Sequence, residues 1–441
     1  MAGSVFDSPM FARLFPTGEA GRLFSDSAEV RAMLLVEGML AKVQGELGVI
    51  PQDSAFFIQR SAMEVQIDPA GLADETGQNG VSVPGLVAAF RKAMEAPEHS
   101  QYIHWGATSQ DIIDTGLMLR LRQLLTLAEA DLKAILTTLG QLADTHADTP
   151  MAARTWGQHA TVTSFGAQAA EWGAPLLELL GELPALRAGS LWISLSGAAG
   201  TSGALGPKAD ETRAALAKTL NLTDPGRSWH VDRTPVLRIA TWLARINTAL
   251  GKLGADLLSL TQSGIAEVSL GPAGASSTMP QKQNPVAPSA LVALARQSAS
   301  LMATLQGGAL QTHQRDGAAW FAEWLSLPQL CLGAASALTI ARNTSESLSP
   351  NTDVITSTAD NPLGLIHAEA LSFALATQMP RPDAQAATKA LCREAGETQT
   401  PLQTLVSRDF PQVDMTLLHA DTQMGQAPML ARIFARNVAA L

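Results

Sequence analysis

A chain of 441 residues suggests about two or three domains, and 46% hydrophobic against 16% charged residues suffices for a large buried core. A net charge of −10 with no basic tract argues against nucleic acid as a partner, because nothing supplies phosphate contacts. The two cysteines, Cys331 and Cys392, lie in apolar helical contexts without zinc-ligand spacing, so they read as core residues of a reducing compartment.

The first twenty residues lack the continuous apolar core of a secretory signal, and a cytoplasmic location is expected. Leu121, Leu124, Ala128, Leu132, Ile135, Leu139 and Leu142 recur at three- and four-residue steps and predict a long helix with one apolar stripe. Val236, Ile239, Leu243, Ile246, Leu250, Leu253, Leu257 and Leu260 predict a second. The run from Trp324 to Ala341 is long enough to raise the membrane question, but Pro328 and scattered Ser, Gln and Thr make it a buried bundle helix with no membrane partner. Pro/Gly/Asp clusters at 68–85, 203–210, 224–235 and 349–364 predict connections. The expected class is all-α, in three helical domains: an N-terminal part over 1–106, a central long-helix bundle over 107–350 and a C-terminal part over 351–441. Wide Ala/Leu faces suit association with further copies of the chain.

The most informative segment is Gly274-Ala275-Ser276-Ser277-Thr278-Met279-Pro280-Gln281-Lys282-Gln283-Asn284-Pro285. Two adjacent hydroxyls, an ammonium and a carboxamide lie there on a backbone opened by Gly and stiffened by two prolines. Such a loop can bring a Ser to a substrate, while Lys282 and Asn284 are suited to holding carboxylates. It is not a nucleotide-binding P-loop, because no Gly-Lys-Ser/Thr follows Gly271-Pro272-Ala273-Gly274. Four further segments carry clustered polar groups: His104-Trp105-Gly106-Ala107-Thr108-Ser109-Gln110-Asp111 with Asp114 and Thr115, Arg154-Thr155-Trp156-Gly157-Gln158-His159-Ala160, Arg227-Ser228-Trp229-His230-Val231-Asp232-Arg233, and Gln314-Arg315-Asp316 leading to Trp320, Glu323 and Trp324. The first of these also reads as a helix start, with Thr108 or Ser109 capping and Asp111 favouring the helix dipole.

In this order the five segments resemble the fumarase/aspartase superfamily, whose signature loop reads G-S-S-x-M-P-x-K-x-N; Ala275 stands where that loop has Gly. The resemblance spans roughly residues 100–380. It implies a reaction across a carbon–carbon bond next to a carboxylate, without cofactor or metal, in a homotetramer with shared active sites acting on a small polycarboxylate. By alignment with the family's loop, Ser276 takes the proton-transfer role and Lys282 supports it; the Ser hydroxyl needs nearby positive charge and donors to act so. His104, Thr108, Ser109, Thr155, Trp156, Gln158, His159, Ser277, Met279, Asn284 and Arg315 are the implied substrate-binding residues. His159, three residues after Trp156, is expected about one helical turn on, and either it or His104 is a candidate for proton transfer.

Trp156 separates the branches of the superfamily. Members that release fumarate have a His there, which protonates a basic leaving group. A carboxylate, whose conjugate acid has a pKa near ~4, needs no such proton. An indole that fills space and excludes water therefore favours a carboxylate adding to a double bond of its own molecule. The branch so indicated closes 3-carboxy-cis,cis-muconate to 4-carboxymuconolactone in the protocatechuate branch of the beta-ketoadipate pathway. The alternative is an adenylosuccinate-lyase-like C–N lyase.

Overall fold

The structure is a computed structural model that describes residues 3–271, 274–275, 279 and 282–441. The helices include α1 (Asp26–Glu46), α2 (Gln52–Glu64), α3 (Val83–Met94), α4 (Ser109–Thr145), α5 (Phe165–Ser190), α6 (Thr234–Leu260), α7 (Val286–Gly308), α8 (Gly317–Ser347), α9 (Ala368–Ala376), α10 (Arg381–Thr398), α11 (Leu402–Asp409) and α12 (Ala427–Ala439). Helices hold 69% of the described residues, and every strand among them belongs to a two-stranded ribbon, so the class is all-α. The ribbons pair β1 (Pro150–Thr155) with β2 (Gln158–Ser164), β3 (Val268–Ser269) with β6 (Ser349–Pro350), and β4 (Gly274–Ala275) with β5 (Gln283–Asn284).

Both predicted stripes are helical and face inward. All eight stripe residues of α6 are at most 4% exposed, and those of α4 are buried up to Leu139, with Leu142 half-buried. Each such aliphatic side chain contributes about 1.5–3 kcal/mol by leaving water, which is why steps of three and four, rather than local propensity, fix these helices. The Trp324–Ala341 run lies within α8, the one described helix long and apolar enough to cross a membrane, and 72% of its most apolar window is buried inside the protein. Three predicted connections contain helix: Pro69–Leu72 and Ala73–Asn79 in the first, Gly203–Lys208 in the second, and Thr352–Asp360 in the last.

Two compact units divide the chain. The first comprises residues 1–131, 179–248 and 293–340, and the second 132–178, 249–292 and 341–441. Each division falls within one of the helices α4 to α8. In the first unit, α1 and α2 pack closely because α1 presents glycines. A Cβ on Gly38 would lie 2.7 Å from the Ala62 methyl, and one on Gly45 would lie 2.3 Å from that of Ala55. The core there gathers Leu34, Leu40, Ile58, Phe90 and Ile112. In the second unit Leu371, Leu375, Leu391, Leu402, Leu405 and Val406 form the core of α9, α10 and α11.

Candidate active site

In the first unit, the start of α4 is fixed by one carboxylate. Asp111 Oδ2 accepts the backbone N–H of Thr108 at 3.0 Å, and the Asp111 N–H returns to the Thr108 carbonyl at 3.0 Å, a reciprocal cap. The same carboxylate accepts from Ser194 Oγ (3.1 Å), Ser196 N (2.9 Å), Gly197 N (2.9 Å) and His230 Nε2 (2.8 Å). Asp111 is thus a structural keystone that ties the helix start to the 194–197 segment and to His230. Asp114, one turn on, holds Arg233 through two hydrogen bonds of 2.8 and 3.0 Å, and Glu323 grips the other edge of that guanidinium at 2.8 and 2.6 Å. Burial opposes the charge on Arg233, yet Asp114 and Glu323 outweigh it and raise the pKa.

His104, Thr108, Ser109 and Arg315 belong to this unit. Thr108 and Ser109 are half-buried at the helix start, where free backbone N–H groups favour an anion. Arg315 is exposed and donates from Nε to Gln110 Oε1 at 2.8 Å, while Gln110 Nε2 donates to the His230 carbonyl at 2.9 Å. That chain of contacts brings the 315 and 230 segments to the residue next to Asp111. His104 is half-buried and has a left-handed backbone, φ +65°. Its Nδ1–H donates to Glu37 Oε1 at 2.6 Å. Burial disfavours the charged ring, but the hydrogen bond and charge of Glu37, with the charge of Asp111, prevail over Arg91 and lift His104 above the ordinary imidazole value.

In the second unit, Thr155, Trp156, Gln158 and His159 lie at the tip of the β1–β2 hairpin, so His159 does not follow Trp156 by one helical turn as expected. Trp156 and Gly157 have φ +56° and +73°, the signs of a two-residue type I′ turn, and Thr155 pairs with Gln158 and Arg154 with His159. The Thr-rich flank of β2, with Val162, suits a pleated ribbon, and the turn overrides the helical step. His159 therefore stands across from Arg154. Between Ala152 and Arg154 the register shifts, a bulge that re-aims the tip. Trp156 is fully exposed, so within one chain it shields nothing. A left-handed backbone at a bulky residue costs roughly 1–2 kcal/mol, and an exposed indole gains no burial; both mark a position kept for something other than the chain's own stability.

Arg154 anchors the hairpin by donating to both oxygens of Glu267, which is fully buried, at 2.8 and 2.7 Å. Glu267 directly precedes β3, on the approach to the signature loop, and its carbonyl accepts from Asn351 N at 2.8 Å. The β4–β5 ladder pairs Gly274 with Asn284 and Ala275 with Gln283 around the loop. Lys282 and Met279 are exposed, and the Lys282 N–H donates to the Met279 carbonyl at 2.9 Å; Asn284 is half-buried. Ser276 and Ser277 lie outside the described residues. Among the described residues no cluster of three His, Cys, Asp or Glu could hold a metal.

Sequence reasoning passed over Glu37 and Glu267. Each is a lone carboxylate in an apolar stretch, Met33-Leu34-Leu35-Val36-Glu37-Gly38-Met39-Leu40 and Ile265-Ala266-Glu267-Val268, and that isolation is the signal that could have found them.

A family model described as a lyase matches residues 23–299. The 3-carboxy-cis,cis-muconate cycloisomerase of Pseudomonas aeruginosa is 36% identical over 406 residues, covering 91% of this chain and 88% of its own. The nitrosuccinate lyase of Streptomyces davaonensis is 34% identical over 412 residues, covering 90% and 86%. The crystal structure of the 3-carboxy-cis,cis-muconate lactonizing enzyme from Pseudomonas putida matches with a TM-score of 0.91 at 33% identity, over 98% of this chain and 99% of that one. The chain therefore belongs to the lyase family of the fumarase/aspartase superfamily.

Proposed function

We propose that the chain is a cofactor-independent cycloisomerase that converts 3-carboxy-cis,cis-muconate to 4-carboxymuconolactone. The observation that carries this reading is Trp156, at the hairpin turn between Thr155 and Gln158, where fumarate-releasing relatives would have an acid. In the reaction one carboxylate of the triacid attacks the far double bond. The C–O bond forms, the π bond opens toward the carbon next to another carboxylate, and that carbon takes a proton from the Ser276 hydroxyl. Solvent reprotonates Ser276, so a trianion becomes a dianionic lactone with uptake of one proton. Positive charge at Lys282 stabilises both the dianion that develops at the receiving carboxylate and the alkoxide left on Ser276. No acid is needed at the attacking end, since that oxygen is an anion before the step and an ester oxygen after it.

Ser277, Met279, Asn284, Thr155, Gln158, His159, Thr108, Ser109, His104 and Arg315 are the proposed substrate contacts. The assembly proposed is a cytoplasmic homotetramer in which each active site draws on more than one copy, with the chain organised as 1–106, 107–350 and 351–441. The full exposure of Trp156 in the single chain supports this, because an indole that excludes water needs a surface to cover it. Turnover in D2O tests the chemistry: the lactone should carry one deuterium, at the carbon next to the receiving carboxylate. Unlabelled lactone, or none, would refute it. The similarity to a nitrosuccinate lyase favours one second reading, expulsion of nitrite from nitrosuccinate, because nitrite too leaves as a weakly basic anion. Nitrite release with no lactone formation would select it.

A further inference from the structure

The segment that leads into α4 is held by side chains from two other helices. Arg91 of α3 donates to the carbonyls of Ser100 and Ile103, both at 3.2 Å, and Gln44 of α1 donates to that of Trp105 at 2.8 Å. Between these carbonyls stands His104, at φ +65°, a left-handed conformation that few non-glycine residues adopt. The one side-chain hydrogen bond that His104 makes among the described residues joins Nδ1 to Glu37 Oε1 at 2.6 Å, and Nε2 has no partner among them. The Glu37 side chain is 1% exposed, and its other oxygen, Oε2, is buried without a hydrogen-bond partner. A buried carboxylate with half its acceptors unused needs a cation beside it, and the imidazole is its one hydrogen-bond partner among the described residues.

We propose that Glu37 is a positioning residue: it takes the Nδ1–H of His104, holds the ring as an imidazolium, and leaves Nε2–H as the donor to a substrate carboxylate. This rests on the cycloisomerase reading for the identity of the anion, but not for the state of the ring. The charged groups that face His104 are Glu37 from α1, Arg91 from α3 and Asp111 from α4. Asp111 is saturated by its own donors, and Arg91 is directed to the Ser100 and Ile103 carbonyls, so Glu37 sets the ring's protonation. With Nδ1 committed, a neutral ring would present a lone pair at Nε2 and repel a carboxylate; the charged ring presents a donor to it.

Two readouts test this. In protein labelled at histidine Cε1 and free of substrate, the resonance missing from His104→Gln should titrate above the free-imidazole value of ~6.5, and in Glu37→Gln it should fall back toward or below that value. In the turnover assay, Glu37→Gln should raise KM about 10-fold near neutral pH with kcat nearly kept, KM should recover as the pH is lowered, and Glu37→Asp should restore part of the loss. A His104 that titrates at or below ~6.5 in the unaltered protein overturns the proposal, whether or not any variant folds. So does a Glu37→Gln enzyme with unchanged KM and pH profile. If the muconate is not a substrate at all, the titration still decides the role of Glu37 separately from the function.

Discussion

Arg154 and Glu267 form a bidentate pair that joins the foot of the hairpin tip to the residue preceding β3. One member carries Thr155 and Trp156 as its chain neighbours, and the other lies on the approach to the signature loop. The pair therefore ties the hairpin that carries Thr155 and Trp156 to the segment that enters β3.

Removing Glu267 leaves the Arg154 guanidinium, whose side chain is only 17% exposed, without its carboxylate. Glu267→Ala should lower the unfolding free energy by roughly 3–5 kcal/mol in denaturant titration, since a lone buried ion is costly. The double variant Arg154→Met/Glu267→Leu should regain most of that stability, yet kcat/KM should stay depressed by about 10–100-fold, because apolar packing does not restore the tip's position. Full activity in the stable double variant would show the pair to be structural only.

Ser276→Ala removes the proposed proton donor and little else. Lactone formation should fall by at least about 100-fold, while the far-ultraviolet circular dichroism and the native mass remain those of the unaltered protein. Turnover near the original rate would assign the proton to another group.

Trp156 sits in a turn conformation that Asn or Gly adopts with less strain. Trp156→Asn should therefore leave the urea midpoint unchanged or raise the stability by a few tenths to about 1 kcal/mol. Activity should nevertheless drop about 10-fold or more, as water enters where the indole had excluded it. An equally active variant would remove Trp156 from the site.

The His104–Glu37 pair also makes stability depend on pH in a defined direction. The folded-state pKa of His104 is raised, so the contribution is complete below the unfolded value of ~6.5 and is lost as pH climbs through the folded value. The gap in melting temperature between the unaltered protein and His104→Gln should accordingly be larger in mild acid than in mild alkali. A gap that grows with rising pH would contradict the assignment of the raised value.

How far the sequence foretold this structure differs from element to element. The Val236–Leu260 stripe announced α6 because eight apolar residues at helical steps have no other way to share one core. The hairpin was missed because Trp156-Gly157 signals a turn only through the sign of φ at a residue type that seldom adopts it. The Pro/Gly/Asp cluster at 349–364 predicts a connection, yet Thr352–Asp360 is helical because Asn351, whose Oδ1 accepts the Val354 N–H at 3.5 Å, caps a turn between the breakers. Within the site, Asp111 was readable as a cap because the reciprocal bond with Thr108 is local. Glu37 and Glu267 were not, because their partners lie 67 and 113 residues away in sequence. Ser276, on which the chemistry turns, came from the loop's resemblance alone.

Loss of diene absorbance on mixing the assembled protein with 3-carboxy-cis,cis-muconate, followed beside proton uptake in a weakly buffered indicator solution, tests the central claim most directly. The predicted result is bleaching of the diene with one proton consumed per molecule converted, and no fumarate from adenylosuccinate in a parallel sample. Undiminished diene absorbance, together with fumarate release from adenylosuccinate, would mean that an acid serves a basic leaving group here after all.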